Sequence, residues 1–286
     1  MKTIYITLIL FLSLSLTISA QQKKQLTILH TNDTHSCIYP ISPNVADTVA
    51  ANRGGYLRRL NMIKQERKKD NKVLLLDSGD FSQGSPYYTL FKGDVEVKLM
   101  NMMGYDACAL GNHEFDYGIE NMARLFRLCE FPILCANYGF NSTPLEGLVK
   151  PYVVIKRNGV KIGIFGLSPK LEGLIAIENS KGITFFDPIE KAKEVTNILK
   201  NKEKCDVVIC LSHLGWDMGP AYDDEKLIKA TKDIDLVLGG HSHTFLKKIE
   251  YITNLDGKET ACCQDGKQGL IVGKIILDLK KKASTK

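Results

Sequence analysis

The chain has 286 residues, 44% of them hydrophobic and 24% charged. Those proportions are ordinary for a globular protein, and the length allows one large domain or two small ones. The formal charge of +6 is a mild bias; its lysines gather at 64–72 and 280–286 without interleaved aromatics, which argues against a nucleic-acid polymer as partner.

Residues 1–20 stand apart. Lys2 precedes an apolar run over 4–18, and Ser19-Ala20 closes it. This is the layout of a secretory signal peptide with cleavage after Ala20. The run is short for a bilayer span, which needs roughly twenty residues. No Cys follows it, so a lipoprotein anchor is not indicated. The expectation is an exported chain, periplasmic or secreted, free of the membrane and forming one domain over 21–286.

Short runs rich in Val, Ile and Leu predict strands at 26–30, 73–77, 107–110, 133–136, 153–155, 161–167, 207–211, 236–238 and 270–279. Helical patterns fall between them at 55–69, 95–103, 119–129, 188–200 and 225–232. In the first, Tyr56, Leu60, Ile63 and Arg67 recur at helical spacing. Asp187-Pro188 reads as an N-cap followed by proline at the first helical position. Strands alternating with helices imply a layered α/β fold. Of the eight cysteines, Cys108, Cys135 and Cys210 lie in apolar strands and are expected to be buried thiols. Arg53, Arg58 and Arg59 read as solvated residues at a helix start.

Polar residues follow five of these strands at the same end. HTNDTH (30–35), DSGD (77–80), GNHEFD (111–116), Ser212-His213 and GGHSH (239–243) each stand where an apolar run stops. In open α/β sheets that end is where ligands bind. Five of the six histidines occupy these turns: His35, His113, His213, His241 and His243. With Asp33, Asp80 and Asn112 they form a nitrogen and oxygen donor set suited to zinc, manganese, cobalt or iron. There are more donors than one four-coordinate ion needs, and two ions with a bridging carboxylate would use them all. Such a pair clamps the attacking and leaving oxygens of a displacement at phosphorus and holds a hydroxide at neutral pH.

The ordered set LTILHTNDTHSCI, GDFSQGSPYY, YDACALGNHEFD and GGHSH resembles the metal-dependent 5′-nucleotidases, within the calcineurin-like metallophosphoesterase superfamily. The resemblance runs from Leu26 to the final strand. It implies a four-layer α/β/β/α sandwich with two mixed sheets. It also implies two divalent ions, one on Asp33, His35 and His243, the other on Asn112, His213 and His241, with Asp80 bridging. His113 would stabilise the pentavalent phosphorus and protonate the leaving oxygen, with Asp116 holding its tautomer. Asn112 and His113 would touch the substrate phosphate. A helix N-cap is the other reading open for Asp116.

One part of the family pattern is absent. Full-length 5′-nucleotidases continue into a second domain whose arginines and stacked aromatics grip the nucleotide, and this sequence stops soon after Leu279. The implied function is hydrolysis of phosphate monoesters, 5′-nucleotides first, alone or with a separately encoded nucleotide-binding C-terminal domain. The alternatives are a 2′,3′-cyclic-nucleotide phosphodiesterase, a nucleotide-sugar hydrolase, and a metal-binding accessory subunit that needs a partner chain.

Overall fold

The structure, a computed structural model, describes residues 24–279. The expected signal peptide and the lysine tail lie outside the described residues.

In chain order the first half holds β1 (Lys24–Thr31), α1 (Tyr56–Lys69), β2 (Leu74–Asp77), α2 (Pro86–Phe91), α3 (Asp94–Met103), β3 (Ala107–Ala109) and α4 (Gly118–Phe126). Then come β4 (Ile133–Leu134), β5 (Tyr138–Gly139), β6 (Val149–Lys150), β7 (Tyr152–Arg157), β8 (Val160–Leu167) and β9 (Thr184–Phe185). The second half adds α5 (Pro188–Asn197), β10 (Val207–Ser212), α6 (Asp224–Ala230), β11 (Leu236–Leu238), β12 (Glu250–Thr253), β13 (Glu259–Cys263) and β14 (Gly273–Leu279).

These strands build two six-stranded mixed sheets and a small ribbon of β5 and β9. Sheet one runs β14-β1-β2-β3-β4-β6 and sheet two β12-β13-β11-β10-β8-β7. Within sheet one only β14 is antiparallel to its neighbour. In sheet two β8, β10, β11 and β13 are parallel, and β7 and β12 pair antiparallel at the edges. Parallel pairing gathers the strand C-termini on one rim of each sheet.

Alternation along the strands explains the layering. Successive side chains point to opposite faces. On β1 and β2, Leu29 and Leu75 join a core with Ile63 of α1, Met100 of α3 and Met122 of α4. Their neighbours Ile28, Leu74 and Leu76 face the other way and meet Ile162, Ile209, Leu211 and Leu236 of sheet two. On the far side, Val208 and Cys210 pack with Val195 of α5 and Leu227 of α6. The order is therefore helices, sheet, sheet, helices, the α/β/β/α sandwich implied above. Each Leu or Ile buried in these layers contributes about 1.5–3 kcal/mol.

Several features differ from the sequence reading. The strands β5, β6 and β9 are two residues each, too short to show a period. The hairpin β12–β13 mixes exposed and buried positions in EYIT and ETACC, so no apolar run marks it. The helix α2 spans six residues, below the length at which a helical stripe can be read. Residues 270–272 precede the last strand, which starts at Gly273. Arg59 is buried rather than solvated, with its guanidinium wedged against Gly269. The Asp187 cap is present: its carboxylate accepts from the amides of Ile189 and Glu190. All eight cysteines are free, and Cys108, Cys135 and Cys210 are buried.

Candidate metal centre

The parallel register sets the polar turns side by side. Thr31 is level with Asp77, and Asp77 with Cys108; in sheet two Leu211 is level with Leu238. The turns that follow must leave the strands sharply. Asp33, His35, Asp80, His241 and His243 all have φ between 42° and 72°, a left-handed backbone that costs an L-residue about 1 kcal/mol or more. Strain of this kind collects at functional sites because the surrounding structure over-determines it. At Gly111 the turns close so tightly that any Cβ would strike the Asp80 carboxylate.

Two groups of donors result. Asp33, His35 and His243 each offer one ligand atom, and the three atoms lie within 4.8 Å of one another; Asp80, His213 and His241 do the same. The Nε2 atoms of His35 and His243 face each other at 2.9 Å, 3.8 and 3.5 Å from Asp33 Oδ1. His213 Nε2 stands 3.0 Å from Asp80 Oδ2 and 3.9 Å from Asp33 Oδ1, so the two groups are contiguous.

The backbone fixes which nitrogen points inward. His213 Nδ1 donates to the Ser78 carbonyl at 2.7 Å and His35 Nδ1 to the Ser82 carbonyl at 3.2 Å. Each bond spends Nδ1–H and leaves the Nε2 lone pair for a ligand role. The Ser78 contact also joins the sheets, since its hydroxyl donates to the Leu238 carbonyl at 2.8 Å. Asp33 is held by Asn32 Nδ2 at 2.7 Å and by the His241 amide.

Electrostatics points to missing positive charge. Asp33, Asp80 and Glu114 are all buried. Burial, opposed by His213 and aided by Asp80, lifts the Asp33 carboxyl to about 7. Burial and Asp80 likewise lift Glu114 to about 7. Against its own burial, Asp80 is drawn below the usual carboxylate range by His213. Burial pulls His241 and His243 down to about 4, so both are neutral donors at pH 7. His213 rises to about 10 despite burial, drawn up by Asp80. Three crowded carboxylates compensated by one imidazolium are what a bound cation would relieve. On the neighbouring turn, whose His113 amide donates to Asp80, Asn112 Oδ1 is buried without a hydrogen-bond partner. The residues therefore fit divalent ions.

His113 differs from the other histidines. It is half-buried, and its Nδ1 lies 3.1 Å from Asp116 Oδ2. The hydrogen bond to Asp116 is the main cause that lifts its pKa, against burial. Its ring centroid is 5.4 Å from that of His35, and its amide donates to Asp80 Oδ1 at 2.9 Å. Residues 113–117 form a short 3-10 helix, and α4 begins with no side-chain cap. The Asp116 carboxylate is thus turned to His113 and does not serve as the helix cap.

Sequence reasoning left out Glu114. It is 2% exposed, and its carboxylate accepts from the amides of Gly111 at 2.8 Å and of Asp80 and Ser82 at 3.2 Å. It therefore ties the 77–82 turn to the 111–116 turn. An acidic residue inside an otherwise buried turn was the available signal.

The calcineurin-like phosphoesterase family model matches residues 26–245. The trifunctional nucleotide phosphoesterase protein YfkN of Bacillus subtilis is 32% identical over 282 residues, which cover 87% of this chain and 18% of that protein. The snake venom 5′-nucleotidase of Gloydius brevicauda is 36% identical over 231 residues, covering 78% of this chain and 37% of the relative. The crystal structure of a 5′-nucleotidase precursor from Thermus thermophilus superimposes with a TM-score of 0.80 at 30% identity, over 88% of this chain and 51% of that one. The chain spans about half or less of the length of these three. Among the described residues no helix is long and apolar enough to cross a membrane.

Proposed function

Because this chain belongs to the calcineurin-like phosphoesterase family, we propose that it hydrolyses phosphate monoesters, with 5′-nucleotides as the main substrate class. The reading is carried by the two contiguous donor groups on one rim, beside a separate His113–Asp116 pair. Asp33, His35 and His243 would hold one divalent ion. His213 and His241, with Asn112 and Asp80, would hold the other. When bound, such ions supply Lewis acidity, which offsets the charge building on the phosphoryl oxygens and acidifies water.

The chain's own groups do the rest. Asp116 takes Nδ1–H of His113 and so directs Nε2 of that ring toward the substrate. A raised pKa keeps a proton available there, and Nε2–H passes it to the leaving oxygen as the ester bond breaks. The Asn112 side chain, on the same turn, orients a phosphate oxygen. Glu114 and the Ser78 and Ser82 carbonyls keep the ligand turns in register.

Residues 1–20 act as an export leader in this reading, and the mature chain works outside the cytoplasm. Its relatives extend well beyond the matched region, and in this reading a further nucleotide-binding domain takes part in nucleotide recognition. Purified residues 21–286, supplied with manganese or cobalt, should release phosphate from AMP and from an aryl phosphate. His113→Ala should lower turnover about 100- to 10,000-fold while elemental analysis finds the metal content unchanged. Equal turnover by the variant would exclude the role given to His113. A cyclic nucleotide and a nucleotide sugar in the same assay separate the other hydrolase specificities.

A further inference from the structure

An open cleft of about 270 Å³ lies beside the start of α1. Its lining includes Arg53, Arg58 and Arg59 and no acidic residue. None of the donor residues of the metal centre lines it. Helix α1 starts without a side-chain cap and has no acid in its first turn, so the positive end of its dipole is uncompensated.

Arg59 is the innermost of the three. It is 6% exposed, and its Nε and Nη1 have no hydrogen-bond partner. Its Nη2 reaches the Cys37 carbonyl at 3.5 Å. Two buried acids lie on its inner side, and neither pairs with it. Asp77 accepts from Thr31 Oγ1 at 2.5 Å and from the Gly79 amide at 2.9 Å. Glu96 accepts from the Ser36 hydroxyl. Arg59 Nη1 lies at the cleft wall formed by Gly269, where a Cβ would fall 1.9 Å from it. A buried guanidinium with two unused donor nitrogens is costly unless something accepts from it.

The other two arginines stand at the opening. Arg58 is exposed and donates to the Asn52 carbonyl and to Asn52 Oδ1 at 3.1 Å, which holds its planar fork in place. Arg53 is exposed as well.

We propose that this cleft is a binding site for phosphate, as the free ion or as the phosphoryl end of an ester, separate from the metal centre. Three permanent cations with no acid among them call for a multiply charged anion. Phosphate carries close to two negative charges at pH 7, and the guanidinium fork matches its oxygens bidentately. The phosphate would take up the donors that Arg59 leaves unused, with Arg53 and Arg58 closing over it.

Titration calorimetry tests the site on the purified chain stripped of metal by chelation and dialysis, so that phosphate has no metal ion to bind. The probes are inorganic phosphate, AMP and adenosine. The double variant Arg53→Gln/Arg58→Gln changes exposed positions and should melt with the parent. It should bind phosphate at least about tenfold more weakly, as loss of charge-assisted hydrogen bonds predicts. Arg59→Lys, which keeps the charge and loses the fork, should weaken binding too; if it fails to fold, the double variant decides. Phosphate tighter than AMP identifies the free ion as ligand, and AMP tighter than phosphate identifies the ester; both uphold the site. Binding of neither, equal binding by a folded variant, or adenosine binding as tightly as AMP would overturn it.

Discussion

The two sheets meet at one centre but bring different chemistry to it. Sheet one carries the carboxylates and the proton-transfer pair, Asp33, Asp80, His113 and Asp116, with Asn112 and His35 beside them. Sheet two brings imidazoles alone, His213, His241 and His243. The bracing differs as well. Glu114 collects three amides across the sheet-one turns. On sheet two, His241 is half-buried and the His243 side chain is 35% exposed. A cation at the seam would join an anionic half to one that offers imidazoles, two of them partly exposed, so the two halves should respond unequally when the ion is removed.

Chelation tests this most severely. A ligand present at 100 times its Kd stabilises a fold by about 2.7 kcal/mol, so removing the ions should lower Tm by roughly 5–10 °C for a domain of this size. Amide exchange should rise more at 239–244 than at 77–82. Equal loosening of both turns would break the comparison.

Glu114→Gln bears on the anionic half. An amide oxygen accepts less strongly than a carboxylate and its NH₂ group faces backbone donors, so the turns should separate slightly. Metal affinity should fall about 10- to 100-fold, as for other groups that orient ligands. Isothermal titration of the apo protein measures it. Restoration by excess manganese separates this effect from general damage to the fold.

A further effect concerns the support beneath sheet two. Asp224 is fully buried at the start of α6, and burial lifts its carboxyl to about 8 from an ordinary 3.8. Between those values the unfolded chain binds fewer protons than the folded one, so this group costs stability as pH rises. Asp224→Asn removes the cost. Its advantage over the parent should be small near pH 4 and grow by at most about 1.4 kcal/mol per unit up to pH 8. Melting curves at pH 5 and 7.5 measure the gap, and a constant gap would disprove this account.

How far the sequence could be read depended on whether a signal was local. The central strands of sheet two were legible because Val207–Ser212 and Val160–Leu167 are buried on both faces and so nearly unbroken in apolar residues. The hairpin at 250–263 was not, because a strand that is half exposed shows only weak alternation. At the site, the histidines stood out by type and position. Glu114 did not, since its contacts lie 3, 32 and 34 residues away in sequence.

The cysteines carry a last consequence. All eight are unpaired, and six of them are buried, held as protonated thiols by their apolar surroundings. The sandwich coheres without disulfides, so its folding calls for no oxidative assistance. Cytoplasmic expression with reductant present should yield the same native fold as secretion.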